Sequence, residues 1–423
     1  MKKTSKLLVL GGLLAATASL VSCGVNDSSE KSTGRELSIL LVPSNDPTKL
    51  MQRATALTPY LNEYVKDTGY TFKITVGNSY DSVMTALTSG TGDAGFLPGG
   101  NYAQVSITNP GKVDLIASAV RAGYKVQADD FKGNGGNDMF NETNKELQRK
   151  AMNGEITVSG KAASEATDSD PVYKYYGEQS TTAVNFYSGV MFSRRDEYSK
   201  EKGFKTFGIT DGMTSKEVLA KLHDGEAVFG IMGNGSSSGL IYPSKFVYDM
   251  GYTNMFVSKS TYEKMSDAEK AKSLIGINQS TYPNGLSYLM STGVIDVSVG
   301  FMDTRYGSGY VQSGGPFYND KGIFDNTYTV GITDPIMNDT ISCTHSLEQS
   351  ARDAIYTAFT KAAATGDKSK EGDPAYYLYQ IYSHTGYAPA EDSNYDAART
   401  MYSWTKEHSV ENPSDTVASS ESK

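Results

Sequence analysis

The chain has 423 residues, with 39 Lys and Arg against 48 Asp and Glu and a formal net charge of −9. An acidic balance of this size disfavours nucleic acid as a partner, and with only Cys23 and Cys343 a CxxC-type metal site is excluded. One hydrophobic core rarely serves so long a chain, so two lobes are expected.

At the N-terminus, Lys2, Lys3 and Lys6 precede an apolar run over 7–20 that ends in Leu20-Val21-Ser22-Cys23. The run is shorter than the roughly 20 residues a membrane helix needs, and small residues stand where cleavage is expected. Residues 1–22 therefore read as a signal peptide, and the chain as exported. The tetrapeptide is similar to the lipobox of bacterial lipoproteins. That resemblance implies a diacylglyceryl-modified Cys23 at the start of the mature chain and a membrane attachment through its lipid. Losing Lys2, Lys3 and Lys6 and no acid would move the charge from −9 to −12. Residues 23–35 are polar, as a tether between lipid and folded body would be.

Folding should begin at Glu36. A short apolar strand spans 37–42, a helix follows over 54–65 until Gly69, and 72–76 alternates as a second strand. A helix at 80–87 and a buried strand at 94–97, stopped by Pro98-Gly99-Gly100, complete a strand-helix-strand-helix-strand order. Such alternation predicts a parallel sheet flanked by helices, with ligands beyond the carboxyl ends of the strands. After a strand over 115–120 the apolar periodicity is lost, and 123–185 reads as an insertion. The pattern resumes with strands at 188–193, 227–232 and 294–299 and helices at 215–223, 240–250, 351–364 and 375–382. Residues 406–423 are expected to form a disordered tail, since from Val410 onward they are Ser, Glu, Asp and Lys with no core-forming period. The 29 tyrosines against 15 phenylalanines offer rings with polar tips, useful in a wet cleft and equally at home on exposed strands.

The most informative segment runs Gly233-Asn234-Gly235-Ser236-Ser237-Ser238-Gly239 and on to Pro243, between a predicted strand and a predicted helix. Three hydroxyls and the backbone N–H groups of a helix start can surround an oxyanion without any Lys or Arg. A flexible linker is the bland reading. A sharper one is a nucleophile elbow, because Gly235-Ser236-Ser237-Ser238-Gly239 fits G-x-S-x-G; Ser237 would then attack, with Asp303, Asp334 or Asp339 and His345 or His384 completing a triad. The histidines lack metal-ligand spacing and read as surface or capping residues, so no metal or other cofactor is expected.

Here the chain resembles the phosphate-, phosphite- and phosphonate-binding proteins of ABC importers, which carry a Ser-Thr-Ser-Gly segment with a Pro a few residues on. Ser236-Ser237-Ser238-Gly239 and Pro243 match it. The likeness extends over about 37–402, through Gly77-Asn78-Ser79-Tyr80-Asp81, the Gly90, Asp93, Phe96 and Leu97 of 87–97, Tyr102, Gly293-Val294-Ile295-Asp296 with Asp303, and Asp334-Pro335-Ile336-Met337-Asn338-Asp339. It departs where the family often has a histidine: Gln279-Ser280-Thr281-Tyr282-Pro283-Asn284 occupies that region, with Tyr282 or the neighbouring Thr281 as the replacement donor.

The resemblance implies an α/β, two-lobed periplasmic-binding-protein-like fold of type II, with hinge-connected, parallel-type sheets. It places 36–122 with 331–405 in one lobe and 186–330 in the other. Ser236, Ser237 and Ser238 would donate to the ligand's phosphonate oxygens, Tyr80 would close from the opposite lobe, Tyr102 and Tyr282 would add hydroxyls, and Asp303 and Asp339 would face the ligand's far end, where a ligand amine could supply their protons. It further implies a small phosphorus oxyanion as ligand, the membrane subunits of an importer as partner, a monomer, and binding rather than turnover. A secreted serine hydrolase built on Ser237 is the alternative.

Overall fold

The computed structural model describes residues 34–44, 46–124, 157–158, 161–162, 179–184, 186–301, 304–305 and 322–413. The expected signal peptide, the Cys23 tether, most of 123–185 and Asp303 lie outside them.

Strand β1 (Arg35–Leu41) buries Leu37, Ile39 and Leu41 on one face, the period of two that a half-covered strand requires. It pairs in parallel with β2 (Tyr70–Val76) and with β3 (Ala94–Leu97). Between β1 and β2, helix α1 (Pro47–Tyr64) starts earlier than its apolar period suggested, because Asp46 caps it and Pro47 suits a first turn that lacks N–H partners. Its Leu50, Ala54, Leu57 and Leu61 face the sheet. Helix α2 (Tyr80–Ser89) begins in a capping box of Ser79 and Ser82, which sets Tyr80 at the mouth of the sheet.

Pro98-Gly99-Gly100 ends β3 as expected, and its glycines also open helix α3 (Gly99–Thr108). The glycines serve close approach: a Cβ on Gly99 would lie 2.6 Å from the Met337 carbonyl oxygen, and one on Gly100 2.7 Å from Ser237 Oγ. Strand β4 (Val113–Tyr124) follows. Far down the chain, β14 (Thr340–Thr344) inserts between β3 and β4 and antiparallel to both, giving the order β15-β4-β14-β3-β1-β2, with β15 (Gly386–Ala388) at the edge. Within the expected insertion, β5 (Thr157–Val158) and β6 (Lys161–Ala162) pair with each other, and β7 (Gln179–Val184) joins β4.

The second sheet has the order β10-β11-β9-β12-β8-β13. Strands β9 (Val228–Ile231), β10 (Met255–Val257), β11 (Ser273–Asn278) and β12 (Val297–Phe301) run parallel, while β8 (Phe186–Arg194) runs antiparallel between β12 and the edge strand β13 (Thr327–Met337). Both sheets are therefore mixed, not simply parallel. Strand β8, by which the chain enters the second lobe, and β14, by which it returns to the first, run against the βαβ winding, whereas β13 runs in the sense of β12.

Two lobe boundaries also move. Strand β13 stays in the second sheet through Met337, and β14 starts the return at Thr340, so the crossing is Asn338-Asp339 and not 331. The C-terminal helix Asp396–Glu407 starts against α3, with Arg399 Nε donating to Ser106 Oγ at 2.9 Å. It ends on the other lobe, where Trp404 and Val410 pack against the second core and the Asn412 N–H donates to Asn234 Oδ1 at 2.7 Å. Residues 406–413 thus belong to the folded body, because Val410 and Asn412 find partners no local pattern reveals.

Candidate functional site

The serine segment follows β9 directly. The Met232 N–H donates to the Gly239 carbonyl at 2.9 Å, closing a tight loop whose glycine leaves no room for a side chain: a Cβ there would lie 2.2 Å from Met232 Cγ. Ser236 caps the helix that follows, accepting from the Gly239 N–H at 3.2 Å. One π-helical turn (Ser237–Ile241) then runs into the α-helix Tyr242–Asp249. A π turn widens the first coil and gathers the serines on the inter-lobe side. The hydroxyls of Ser236 and Ser238 meet the Tyr282 hydroxyl at 3.0 and 2.8 Å. Ser237, between them, is 4% exposed, and its Oγ has no hydrogen-bond partner.

These groups line a cavity of about 70 Å³ between the lobes. Roughly 10–15 Å³ of such space holds one water, so the volume suits a ligand of a few heavy atoms. The second lobe contributes Tyr187, the three serines, Tyr282 and Phe301; the first contributes Val42, Ser44, Tyr80, Arg121, Asp339 and the turn Tyr379–Ser383 that ends helix Pro374–Tyr382. Ser44 Oγ is a second buried hydroxyl without a partner, and Arg121 Nε is a buried N–H without one. Three unsatisfied polar groups around one small cavity are costly in isolation, each by about 1–3 kcal/mol, and mark where a ligand with acceptor atoms would be stabilised.

Burial raises the phenol of Tyr80 well above its ordinary value, with Tyr282 and the Asp339 charge adding to the effect. Burial likewise raises Tyr282, against the opposing hydrogen bonds from Ser236 and Ser238. Both stay protonated and able to donate. Burial alone would raise Asp339, but Arg121 and His384 outweigh it and hold the carboxyl below its usual range. Arg121 Nη2 donates to Asp339 Oδ2 at 3.0 Å, and His384 Nε2 lies 3.0 Å from the same oxygen. Burial depresses His384, so its neutral form donates from Nε2 to the carboxylate and accepts the Tyr387 O–H at Nδ1, 3.0 Å away. The Arg121 guanidinium lies over the rings of Tyr187 and Phe301, 4.9 and 5.4 Å from their centroids.

Six of the residues singled out in the sequence meet here: Tyr80, Ser236, Ser237, Ser238, Tyr282 and Asp339. Thr281, the alternative to Tyr282, instead caps the helix Tyr282–Ser287. Tyr102 does not reach the cavity. It is buried on α3, its hydroxyl donates to Asp392 Oδ1 at 2.7 Å, and its ring packs edge-on against Tyr395, so it joins α3 to the C-terminal segment. His384 is a buried partner of Asp339 rather than a surface or capping residue. The triad of the hydrolase reading is not assembled around Ser237: His384 is bonded to Asp339 and Tyr387, and His345 is exposed beside Asp114. Among the described residues no cluster of three or more His, Cys, Asp or Glu could hold a metal, and no helix is long and apolar enough to cross a membrane.

Arg121, Ser44, Tyr187 and the 379–383 turn escaped the sequence reading. Only Arg121 left a signal there, the one cation of β4, directly after the largely apolar run 115–120.

The fold is the two-lobed, periplasmic-binding-protein-like α/β fold, and solved structures agree. A Xanthomonas citri protein, solved bound to chloride and also to ATP, superposes in its chloride form with a TM-score of 0.54 at 12% identity, over 88% of this chain and 99% of that one. The binding-protein component of an ABC phosphonate transporter from Pseudomonas aeruginosa gives 0.51 at 10% identity, over 89% and 88%. PhnD1 from Prochlorococcus marinus, solved with methylphosphonate, gives 0.50 at 11% identity, over 88% and 98%. At these identities the likeness is one of fold. No protein-family model matches the chain, and no curated protein matches it.

Proposed function

We propose that this chain is the extracytoplasmic solute-binding protein of an ABC-type importer, that a lipid on Cys23 holds it at the membrane, and that its cargo is a small phosphorus oxyanion, a phosphonate foremost. The carrying observation is Ser237, whose hydroxyl is buried without a partner at the head of a helix, inside a small inter-lobe cavity. Flanking hydroxyls of Ser236, Ser238, Tyr282 and Tyr80 can donate to further oxygens, and the positive end of the helix favours negative charge. Because both lobes line the cavity, a bound ligand stabilises the closed arrangement, which is the form importer subunits would read. Solved neighbours with this fold include a phosphonate-transporter component and a methylphosphonate complex, which supports the choice of cargo. Asp303, which the family resemblance sets at the ligand's far end, belongs to the same proposal.

Protein lacking residues 1–22 should melt higher with methylphosphonate, phosphite or phosphate. One hundred times the dissociation constant adds about 2.7 kcal/mol of apparent stability. No shift with any of the three, together with covalent labelling of Ser237 by a fluorophosphonate, would replace the receptor by a hydrolase. Cys23→Ser in the full chain should release the protein from the membrane fraction; retention there would remove the lipid anchor.

A further inference from the structure

We infer that Arg121 is the cationic contact of the bound anion, and that Asp339 is its internal counter-ion, a carboxylate that competes with the ligand instead of binding it. The inference rests on the oxyanion-receptor reading above and assigns the charged wall of the same cavity.

Among the described residues that line the cavity, Arg121 is the one cation and Asp339 the one anion. Both are at least nine-tenths buried, Arg121 at 5% and Asp339 at 8% exposure. Guanidinium Nε and Nη2 form one edge of a fork that matches two oxygens of a carboxylate or phosphoryl group. Asp339 engages Nη2 alone, and Nε has no partner. The recognition edge of Arg121 is therefore half used, and the unused donor belongs to a cavity whose other orphan donors are Ser237 and Ser44. Tyr187 and Phe301 hold the guanidinium plane from the second lobe, so it cannot swing out to solvent to satisfy that N–H.

Asp339 is fixed from behind. His384 donates to the same oxygen that Arg121 uses, and the Asp339 carbonyl accepts the Ala119 N–H at 2.8 Å. It also sits on the crossing between β13 and β14, so it cannot withdraw when an anion enters. An oxyanion taking both donors of the Arg121 edge must share Nη2 with a fixed negative charge. The carboxylate thus weakens anion binding while keeping a buried arginine neutralised in the empty protein, where an unpaired charge would be costly. A ligand amine would meet a carboxylate whose Oδ2 already takes two donors and whose charge Arg121 already balances.

The sign of one substitution decides between these roles. Titration calorimetry with methylphosphonate and with 2-aminoethylphosphonate, on protein lacking residues 1–22, should show Asp339→Asn binding both ligands tighter, by about tenfold, the scale of one charged hydrogen bond. Arg121→Gln should weaken both by roughly 10–100-fold on the same scale. Because Arg121→Gln leaves Asp339 buried without its cation, the double variant Arg121→Gln/Asp339→Asn is the control for folding. It should melt close to the parent, bind more tightly than Arg121→Gln because the competing carboxylate is gone, and bind at least about tenfold more weakly than Asp339→Asn because the cation is gone. Weaker methylphosphonate binding by Asp339→Asn, or a folded double variant that binds as tightly as Asp339→Asn alone, overturns the assignment. A selective loss of 2-aminoethylphosphonate in Asp339→Asn does so too and restores the amine-pairing role. Failure of the parent protein to bind any of methylphosphonate, phosphite or phosphate is a different result: it removes the oxyanion reading itself, and this assignment with it.

Discussion

The second lobe's wall of the cavity carries neutral hydroxyls, Ser236, Ser237, Ser238 and Tyr282, whereas the first lobe's wall carries the formal charges, Arg121 and Asp339. The neutral wall is built from one contiguous segment and a helix start, and its unsatisfied hydroxyl can stay buried because neutral groups are cheap to desolvate compared with ions. The charged wall is assembled from residues far apart in sequence, each with an opposite charge or an aromatic face beside it, as buried ions require. Hydroxyls can accept or donate and so tolerate many oxyanions. The charges set how tightly any of them is held.

The largest effect expected on the neutral wall is that of Ser237→Ala. It should lower oxyanion affinity by about 1.5–3 kcal/mol, the value of a hydrogen bond to a charged group, while leaving the melting temperature of the empty protein unchanged, since Ser237 Oγ has no partner to lose. Calorimetry and a melt on the same sample measure both; unchanged affinity would leave recognition to the charged wall alone.

Next comes Gly100→Ala, which tests whether the two walls must touch. The added methyl would lie 2.7 Å from Ser237 Oγ, and overpacking of this kind costs about 1–3 kcal/mol. Affinity should fall, and small-angle scattering with saturating methylphosphonate should show a less compact protein than the parent. A compact, tight-binding Gly100→Ala would mean that the lobes can close without this contact.

The smallest effect concerns protons behind the charged wall. His384 and Asp339 both have folded pKa values below their ordinary ones. For each, the unfolded chain binds the proton more readily, so the stabilisation is present at neutral pH and is lost as pH falls. The loss should begin as pH drops below about 6.5, where unfolded histidine takes up its proton, and continue below the ordinary carboxylate range through Asp339. Each proton contributes at most about 1.4 kcal/mol per pH unit. Melting curves of His384→Asn should lose the upper part of this dependence and keep the lower; an unchanged upper part would detach His384 from the pair.

Much of the first lobe was legible. β3 was placed at its observed limits, and α2 opened where the sequence put it, because a short apolar run and a helix start with its capping box are local properties. The serine segment was legible for the same reason, as a loop wedged between an apolar strand and a helical period. What failed was non-local. Pro98-Gly99-Gly100 does end β3, but the helix that opens on its glycines went unread, because only the approach of Met337 and Ser237 explains glycines there. Strand β14, Thr-Ile-Ser-Cys-Thr, has a polar surface in sequence and is wholly buried between β3 and β4. Tyr102 matches a family tyrosine in position and is nonetheless drawn into a contact with Asp392, 290 residues away.

By itself, then, the sequence determined the α/β alternation, the helix-capping serines and the hydroxyl chemistry of one wall, since periodicity, capping and a loop's donors depend on residues within a few positions of one another. Tertiary structure decided where the lobes cross, that residues 406–413 are part of the body, and that Arg121 is a buried cation at all. Arg121 and Asp339 are 218 residues apart. Nothing near either of them records the pairing, because a buried charge is tolerated only by a partner that the fold brings to it.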